Sequence, residues 1–485
     1  MSSTSPCRMR RQPRWPLPGL LPIANGLLWL YWGWHSGVVI AALVCPPALV
    51  LLAAGTALLL WPGDQRVNYW LTLSAFLSMP LAVILAWWLG ALASLLLLVL
   101  GLGSALVGGY MSLQQAVVPA AMPERHMTLM LAAKAMQDNA LLGFFQATVH
   151  IPRGQAVQRE KAELQSLQDL TARQGSAQTP TALQPMPPLP QSVVVEQARA
   201  RGHRFDWVAF ASDYRPAEEM PGAARWLARR ANQRMYARIF HHSDKARPWL
   251  LCIHGYQMGT PGLDLSLFRV AYLHHQLGLN LLMPILPLHG PRRATFVSGG
   301  LYLDGSLSEI FHAQSQALWD LRRCLAWLRS HYEVPRIGVL GYSLGGYNAA
   351  LLAAFEPALA CVIAGIPLAD IPAVLWHHMP LADKHYFAAC GLYEDWVSQV
   401  MAPISPLHLP VRVAPERRYI FAATGDQMIP PQQALALWRH WGEPSMHWYQ
   451  GSHLSIRRET EVGAFMHQAL HDSGLIPNAV PADTV

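Results

Sequence analysis

The 485-residue chain carries a net charge of +7, with 52% hydrophobic and only 13% charged residues. The charged share is about half the ~25% of an ordinary soluble domain, which sets the chain apart from a wholly soluble protein and points to membrane segments. The positive excess is spread along the chain apart from an N-terminal cluster, which argues against a nucleic-acid surface.

Residues 1–14 form a polar arm with Arg8, Arg10, Arg11 and Arg14. From Trp15 to Gly63 there is no Asp, Glu, Lys or Arg; Asp64 and Arg66 interrupt, and 67–123 is again uncharged. A spanning helix needs ~20 apolar residues, so 15–123 holds two to four spans, expected at 20–34, 38–60, 69–89 and 91–110. The aromatic run Trp29, Tyr31, Trp32, Trp34 offers an interfacial belt as the other reading of the first segment. The apolar stretch is too long for a cleaved leader. The arginines place the N-terminus in the cytoplasm, so an even number of spans keeps the rest there and an odd number exports it. The expected location is a bacterial inner membrane, with the soluble domain cytoplasmic.

Residues 124–170 have helical spacing and charge, and read as an amphipathic connector near the membrane; 171–191 is a Pro-rich linker. A soluble domain is expected over 192–475. Strands are expected at 206–211, 235–240, 249–253, 281–286, 337–340, 361–365, 419–423 and 447–449. Helices are expected at 264–277, 307–331, 346–355, 431–441 and 459–471. This alternation predicts a mostly parallel sheet with helices on both faces. The apolar, aromatic segment 371–416 breaks the alternation and reads as an inserted cap, or as ordinary packing helices.

The segment R-I-G-V-L-G-Y-S-L-G-G-Y runs from an apolar strand through Gly341-Tyr342-Ser343-Leu344-Gly345 into an Ala/Leu-rich helix. The glycines leave room for a sharp turn, and Ser343 stands at a helix N-terminus. Thr424-Gly425-Asp426 follows a later strand, and Gly451-Ser452-His453 follows the last. A serine hydroxyl needs a base, and the base needs an orienting acid.

With G-x-S-x-G between strand and helix, followed by Asp and then His, the chain resembles the alpha/beta-hydrolase superfamily, in an esterase/lipase-like or prolyl-oligopeptidase-like branch. The resemblance covers about 206–471 and not the membrane part. It implies an alpha/beta-hydrolase fold with an inserted cap, preceded by the transmembrane region. It implies Ser343 as nucleophile, His453 as base and Asp426 as acid, with Asp370 in I-P-L-A-D as the competing acid. The oxyanion donors would be the Leu344 N–H and, from the turn His254-Gly255-Tyr256, the Tyr256 N–H. His254 and His289 are candidate pocket residues, and Arg292-Arg293 offers either an acidic-head-group contact or a solvated loop. The pairs His241-His242, His274-His275 and His377-His378 and the six cysteines lack metal-ligand spacing, so no metal and no other cofactor is expected. The function expected is a membrane-anchored serine hydrolase acting on carboxylic esters, with a lipid or acyl-lipid substrate plausible from location and the bilayer as partner. Acyl transfer, peptide cleavage and a non-catalytic membrane scaffold are the alternatives.

Overall fold

The uncharged stretches fold as helices because apolar residues line every face; Pro46, Pro47 and Pro80 are accommodated inside helices. A computed structural model describes residues 17–61, 63–149, 151–173, 183–243 and 246–477. The basic arm and part of the Pro-rich linker lie outside the described residues. The chain divides into two compact units, one built from Met1–Val149, Ala423–Gln432 and Trp448–Glu459, the other from His150–Ala422, Gln433–His447 and Thr460–Val485.

In the first unit the helices are α1 (Leu20–His35), α2 (Val38–Leu60), α3 (Gln65–Ile84), α4 (Ala86–Leu89), α5 (Ala91–Gln115) and α6 (Leu129–Thr148). Helices α2, α3 and α5, of 23, 20 and 25 residues, are long and apolar enough to cross a membrane. The expected first span is a helix of only 16 residues. That is about 24 Å, short of a ~30 Å hydrocarbon core. Val39, Leu43, Leu49, Leu92, Leu95 and Val99 face outward, where water would leave them uncovered. The inner faces carry small and polar residues: Asn25 Nδ2 donates to Ser104 Oγ (3.2 Å) and Asn68 Nδ2 to Gln115 Oε1 (2.8 Å). Small residues allow close backbone approach and buried amides find partners across helices, as membrane bundles require.

The connector expected over 124–170 is not one element. Helix α6 packs on α3 and α5, while α7 (Gln155–Arg173) belongs to the second unit. There α7 buries Val157, Leu164, Leu167 and Leu170 in a cluster with Phe311, Trp376 and Phe387, so its apolar face is occupied within the protein. Its Glu160 accepts from the Leu307 N–H (2.9 Å) at the start of a later helix.

The second unit's sheet contains β1 (Val193–Ala200), β2 (His203–Ala211), β3 (Arg234–Phe240), β4 (Trp249–Ile253), β5 (Asn280–Pro284), β6 (Ile337–Tyr342), β7 (Cys361–Gly365), β8 (Arg418–Ala423) and β9 (Ser445–Tyr449). Their order is β1-β2-β3-β5-β4-β6-β7-β8-β9. The first pairings are antiparallel, and β5, β4, β6, β7 and β8 run parallel. Strands β4 to β8 are buried at every residue, as expected of parallel strands covered on both faces. The helices are α8 (Ala223–Leu227), α9 (Pro261–Leu267), α10 (Leu307–His331), α11 (Leu344–Leu352), α12 (Ile371–His378), α13 (Leu381–Ala389), α14 (Glu394–Val400), α15 (Pro431–His440) and α16 (Thr460–Asp472). Helix α11 packs on β4, β6 and β7, and α10 packs on α11. This is the alpha/beta-hydrolase architecture, with one additional edge strand, β1.

Three local outcomes bear on the sequence expectation. Strand β1 is mostly exposed, so V-V-V-E-Q-A-R-A lacks the apolar alternation that marks a half-buried strand. The described part of the linker is pinned rather than free: Arg322 donates to the Gln184 and Pro185 carbonyls, and Arg323 to that of Pro188. The insertion 371–416 folds as three helices, α12 to α14, whose apolar residues share the cluster with α7.

Candidate active site

Strand β6 runs directly into Ser343, whose backbone sits at φ 58°, ψ −117° before α11 begins at Leu344. A left-handed φ is costly for a serine and persists only where the surroundings hold it. The surroundings here are backbone: Ser343 N–H donates to the Gly365 carbonyl (2.9 Å), and the Ser343 carbonyl accepts from Tyr347 N–H (3.0 Å) and Leu368 N–H (3.3 Å). A Cβ on Gly341 would lie 2.0 Å from the Gly345 carbonyl oxygen, and one on Gly345 would lie 1.9 Å from that of Ile253. Only glycine fits either place. The Ser343 side chain makes no capping hydrogen bond to α11, and the residue is half-buried, so the hydroxyl is not spent on ending the helix.

The turn after β4 approaches the same elbow. A Cβ on Gly255 would lie 3.6 Å from Ser343 Cβ. Tyr256 follows it, with its hydroxyl donating to Asp304 Oδ1 (3.2 Å). The structure places His254 and His289 beside this turn. Both are fully buried, and both ring nitrogens of each are taken by backbone. His254 Nδ1–H donates to the Gly255 carbonyl (2.8 Å) while Nε2 accepts from Leu286 N–H (3.1 Å). His289 Nδ1–H donates to the Pro287 carbonyl (2.8 Å) while Nε2 accepts from Gln257 N–H (3.3 Å). Burial pushes His254 down to about 4 and His289 well below the usual histidine value. Their ring nitrogens hold the backbone on either side of the turn carrying Tyr256. Arg292 is likewise buried, in an ion pair with Asp320 (2.7 Å). Arg293 is exposed.

In the other unit, the loop after β8 and the loop after β9 meet. Asp426 Oδ2 lies 2.7 Å from His453 Nδ1, and Asp426 Oδ1 accepts from Met428 N–H (2.9 Å) and Ile429 N–H (2.7 Å). Both side chains are buried. Burial disfavours the His453 imidazolium, but the Asp426 carboxylate, its hydrogen bond and Asp138 outweigh it and raise the His453 pKa above its ordinary value. Asp370 has a different place. It caps α12 by accepting from Ala373 N–H (3.0 Å), and it accepts from Ser398 Oγ (3.3 Å).

Sequence reasoning missed Asp138, on α6. It is fully buried and accepts from Gln427 N–H, His453 N–H, Leu454 N–H and Ser452 Oγ. The available signal was its spacing: Leu131, Ala135, Asp138 and Leu142 share one buried helical face. A charged residue among apolar positions at i, i+4, i+7 marks a buried ionisable group. Among the described residues no group of three or more His, Cys, Asp or Glu side chains is arranged to hold a metal ion.

No protein-family model matches the chain. Among solved structures it is similar to acetyl xylan esterase 1 from Thermoanaerobacterium sp., at 14% identity and TM-score 0.43 over 68% of this chain and 96% of that one. It is also similar to an acetyl xylan esterase from Paenibacillus sp. R4, at 19% identity and TM-score 0.43 over 60% and 92%. The acylaminoacyl peptidase of Pyrococcus horikoshii matches at 11% identity and TM-score 0.37 over 61% and 44%. Two Mycobacterium tuberculosis sequences are far nearer: "Uncharacterized protein MT2702" of strain CDC 1551 / Oshkosh is 36% identical over 368 residues, 76% of this chain and 87% of the relative. "Uncharacterized protein Rv2627c" of strain H37Rv is 35% identical over the same shares. The chain belongs to the family of these two mycobacterial proteins.

Proposed function

We propose that the protein is a membrane-anchored serine hydrolase that cleaves carboxylic esters through an acyl-enzyme on Ser343. The observation that carries this reading is the Ser343 elbow, a strained serine whose hydroxyl does no capping. The hydrogen-bonded Asp426–His453 couple supports it. With Nδ1 turned to Asp426, Nε2 is the nitrogen assigned to take the Ser343 proton as Oγ attacks the ester carbonyl. The oxyanion is assigned to the Leu344 and Tyr256 N–H groups. His453 then protonates the departing alcohol, and later takes a proton from the water that releases the acid. Helices α2, α3 and α5 support anchoring, and an anchored enzyme meets lipid or acyl-lipid esters at high local concentration.

A fluorophosphonate probe tests the reading. It should label the full chain, and Ser343→Ala should abolish labelling and lower turnover by about six orders of magnitude while the protein stays folded in the membrane. Retained labelling in that variant refutes the assignment, and product that depends on an alcohol acceptor would turn hydrolysis into acyl transfer. We place the catalytic domain on the cytoplasmic side, the side expected from the N-terminal arginines. This requires the short α1 to enter the membrane as a hairpin with α2, because α2, α3 and α5 alone are an odd number of spans and would export the domain. Alkaline phosphatase fused after Leu170 should therefore be inactive, and high activity there would put the domain outside.

A further inference from the structure

We propose that Asp138 is a positioning residue for the Asp426–His453 pair, tying the geometry of the acid and base to the packing of the membrane-type helices; this rests on the reading of that pair as the reaction's acid–base couple. A carboxylate offers about four acceptor positions, and here four donors use them. Oδ1 accepts from Ser452 Oγ (3.0 Å) and Leu454 N–H (3.0 Å); Oδ2 accepts from His453 N–H (2.8 Å) and Gln427 N–H (3.2 Å). Gln427 adjoins Asp426, and the other three donors are His453 and its two chain neighbours. One side chain thus binds the acid loop to the base loop through their backbones.

The helix that presents Asp138 is itself fixed. Asn139, the next residue, donates to the Gly108 carbonyl (3.2 Å) and Ser112 Oγ (2.9 Å) of α5. A Cβ on Gly109 would lie 2.2 Å from the Ala132 carbonyl oxygen, and one on Gly143 would lie 2.6 Å from that of Tyr69 on α3. Backbones this close leave α6 no freedom to slide. One turn before Asp138, Lys134 pairs with Glu459 (2.7 Å) and donates to the Gln450 carbonyl (3.1 Å), so α6 grips the base loop twice.

The arrangement has an electrostatic consequence. His453 is faced by the carboxylates of Asp426 and Asp138; Asp138 is faced by Asp426, by His453 and by Tyr69 of α3, with the Lys134–Glu459 pair beyond. Burial and the Asp426 charge push Asp138 up to about 7, against the pull of His453 and the N–H donors. The four donors favour the charged form of Asp138, and where it is ionised this second negative charge beside the base stabilises the imidazolium formed when Ser343 loses its proton. Removing it should lower the His453 pKa. Turnover needs neutral His453 at the start, so the acid limb of the rate profile should then move to lower pH.

The test uses the full chain in detergent micelles, with p-nitrophenyl butyrate as substrate and fluorophosphonate titration to count active serines. In Asp138→Asn an NH2 group replaces an oxygen that meets two donors, so the loops lose two hydrogen bonds and gain a repulsion. The expected result is a ~10²-fold fall in kcat per titrated site, as misplacement of a catalytic group by about 1 Å gives, with KM within about twofold. The acid limb should move to lower pH. Asp138→Glu keeps the charge and shifts the loops, so kcat should fall with the limb unmoved; it also decides the matter if the Asn variant fails to fold. Unchanged kcat per site in the folded variants would overturn the proposal, as would lost activity explained by lost folded protein with no movement of the limb in Asp138→Asn. Labelling that persists in Ser343→Ala would instead overturn the triad reading, and this proposal with it.

Discussion

The turn that carries Ser343 is built from its own pentapeptide and the strand ends it touches, whereas the Asp426–His453 pair is secured by a helix nearly three hundred residues earlier in the chain. At the elbow, backbone meets backbone. Gly341 and Gly345 admit carbonyls where any Cβ would collide, and the strain at Ser343 is spread over hydrogen bonds to Gly365, Tyr347 and Leu368. At the acid–base loops, side chains meet backbone. Asp138 takes four donors, and Arg125 donates to the Thr424 carbonyl (2.7 Å) as well as to the Leu113 carbonyl near the end of α5 (2.5 Å). A reactive group can therefore be held either by local steric exclusion or by imported charge. The first is insensitive to the rest of the chain. The second makes the Asp426–His453 pair depend on how a bundle of apolar helices is packed.

Mutations should separate the two modes. The largest effect is expected at the acid: Asp426→Asn should lower turnover by ~10⁴ by favouring the wrong His453 tautomer. Measured kcat with unchanged thermal stability would confirm that the loss is chemical. An intermediate effect is expected at the elbow, where Gly345→Ala places a methyl group against the Ile253 carbonyl. Overpacking of this kind costs about 1–3 kcal/mol or more, so the melting temperature and probe labelling should fall together. A fully active, equally stable alanine variant would mean that the elbow is not held by exclusion. The smallest effect is expected from Asp370→Asn. Asn caps helices about as well as Asp, so α12 should keep its start and turnover should stay within a few-fold. A ~10⁴-fold loss there, with Asp426→Asn mild, would reverse the assignment of the acid.

Much of the soluble fold was legible because its signals are local. Strands β4, β6, β7 and β8 are short apolar runs bounded by turn residues; Ser343 and Asp426 each follow such a run, and His453 follows β9. Strand β1 was not legible, since an exposed edge strand needs only backbone partners and any side chain satisfies that. The backbone partners of the histidines after β4 and β5 were not legible either, because sequence shows a side chain's type and not what its nitrogens meet. Nor could the span count be read from composition alone, because Leu20–His35 has the right residues and stops short of the length.

The sequence by itself determined the strand–turn–helix order and the glycine spacing of the elbow, because periodicity and glycine position act within a few residues, while the Ile253 and Gly365 carbonyls that hold the turn come from other strands. Tertiary structure alone decided what the polar residues of the helices do. The spacing of Asp138 marks it as buried, but only when α6 is packed on α3 and α5 do the N–H groups around His453 become its partners. The physical reason is that a buried charge is tolerated only where donors converge on it, and convergence is a property of assembled elements rather than of any one of them.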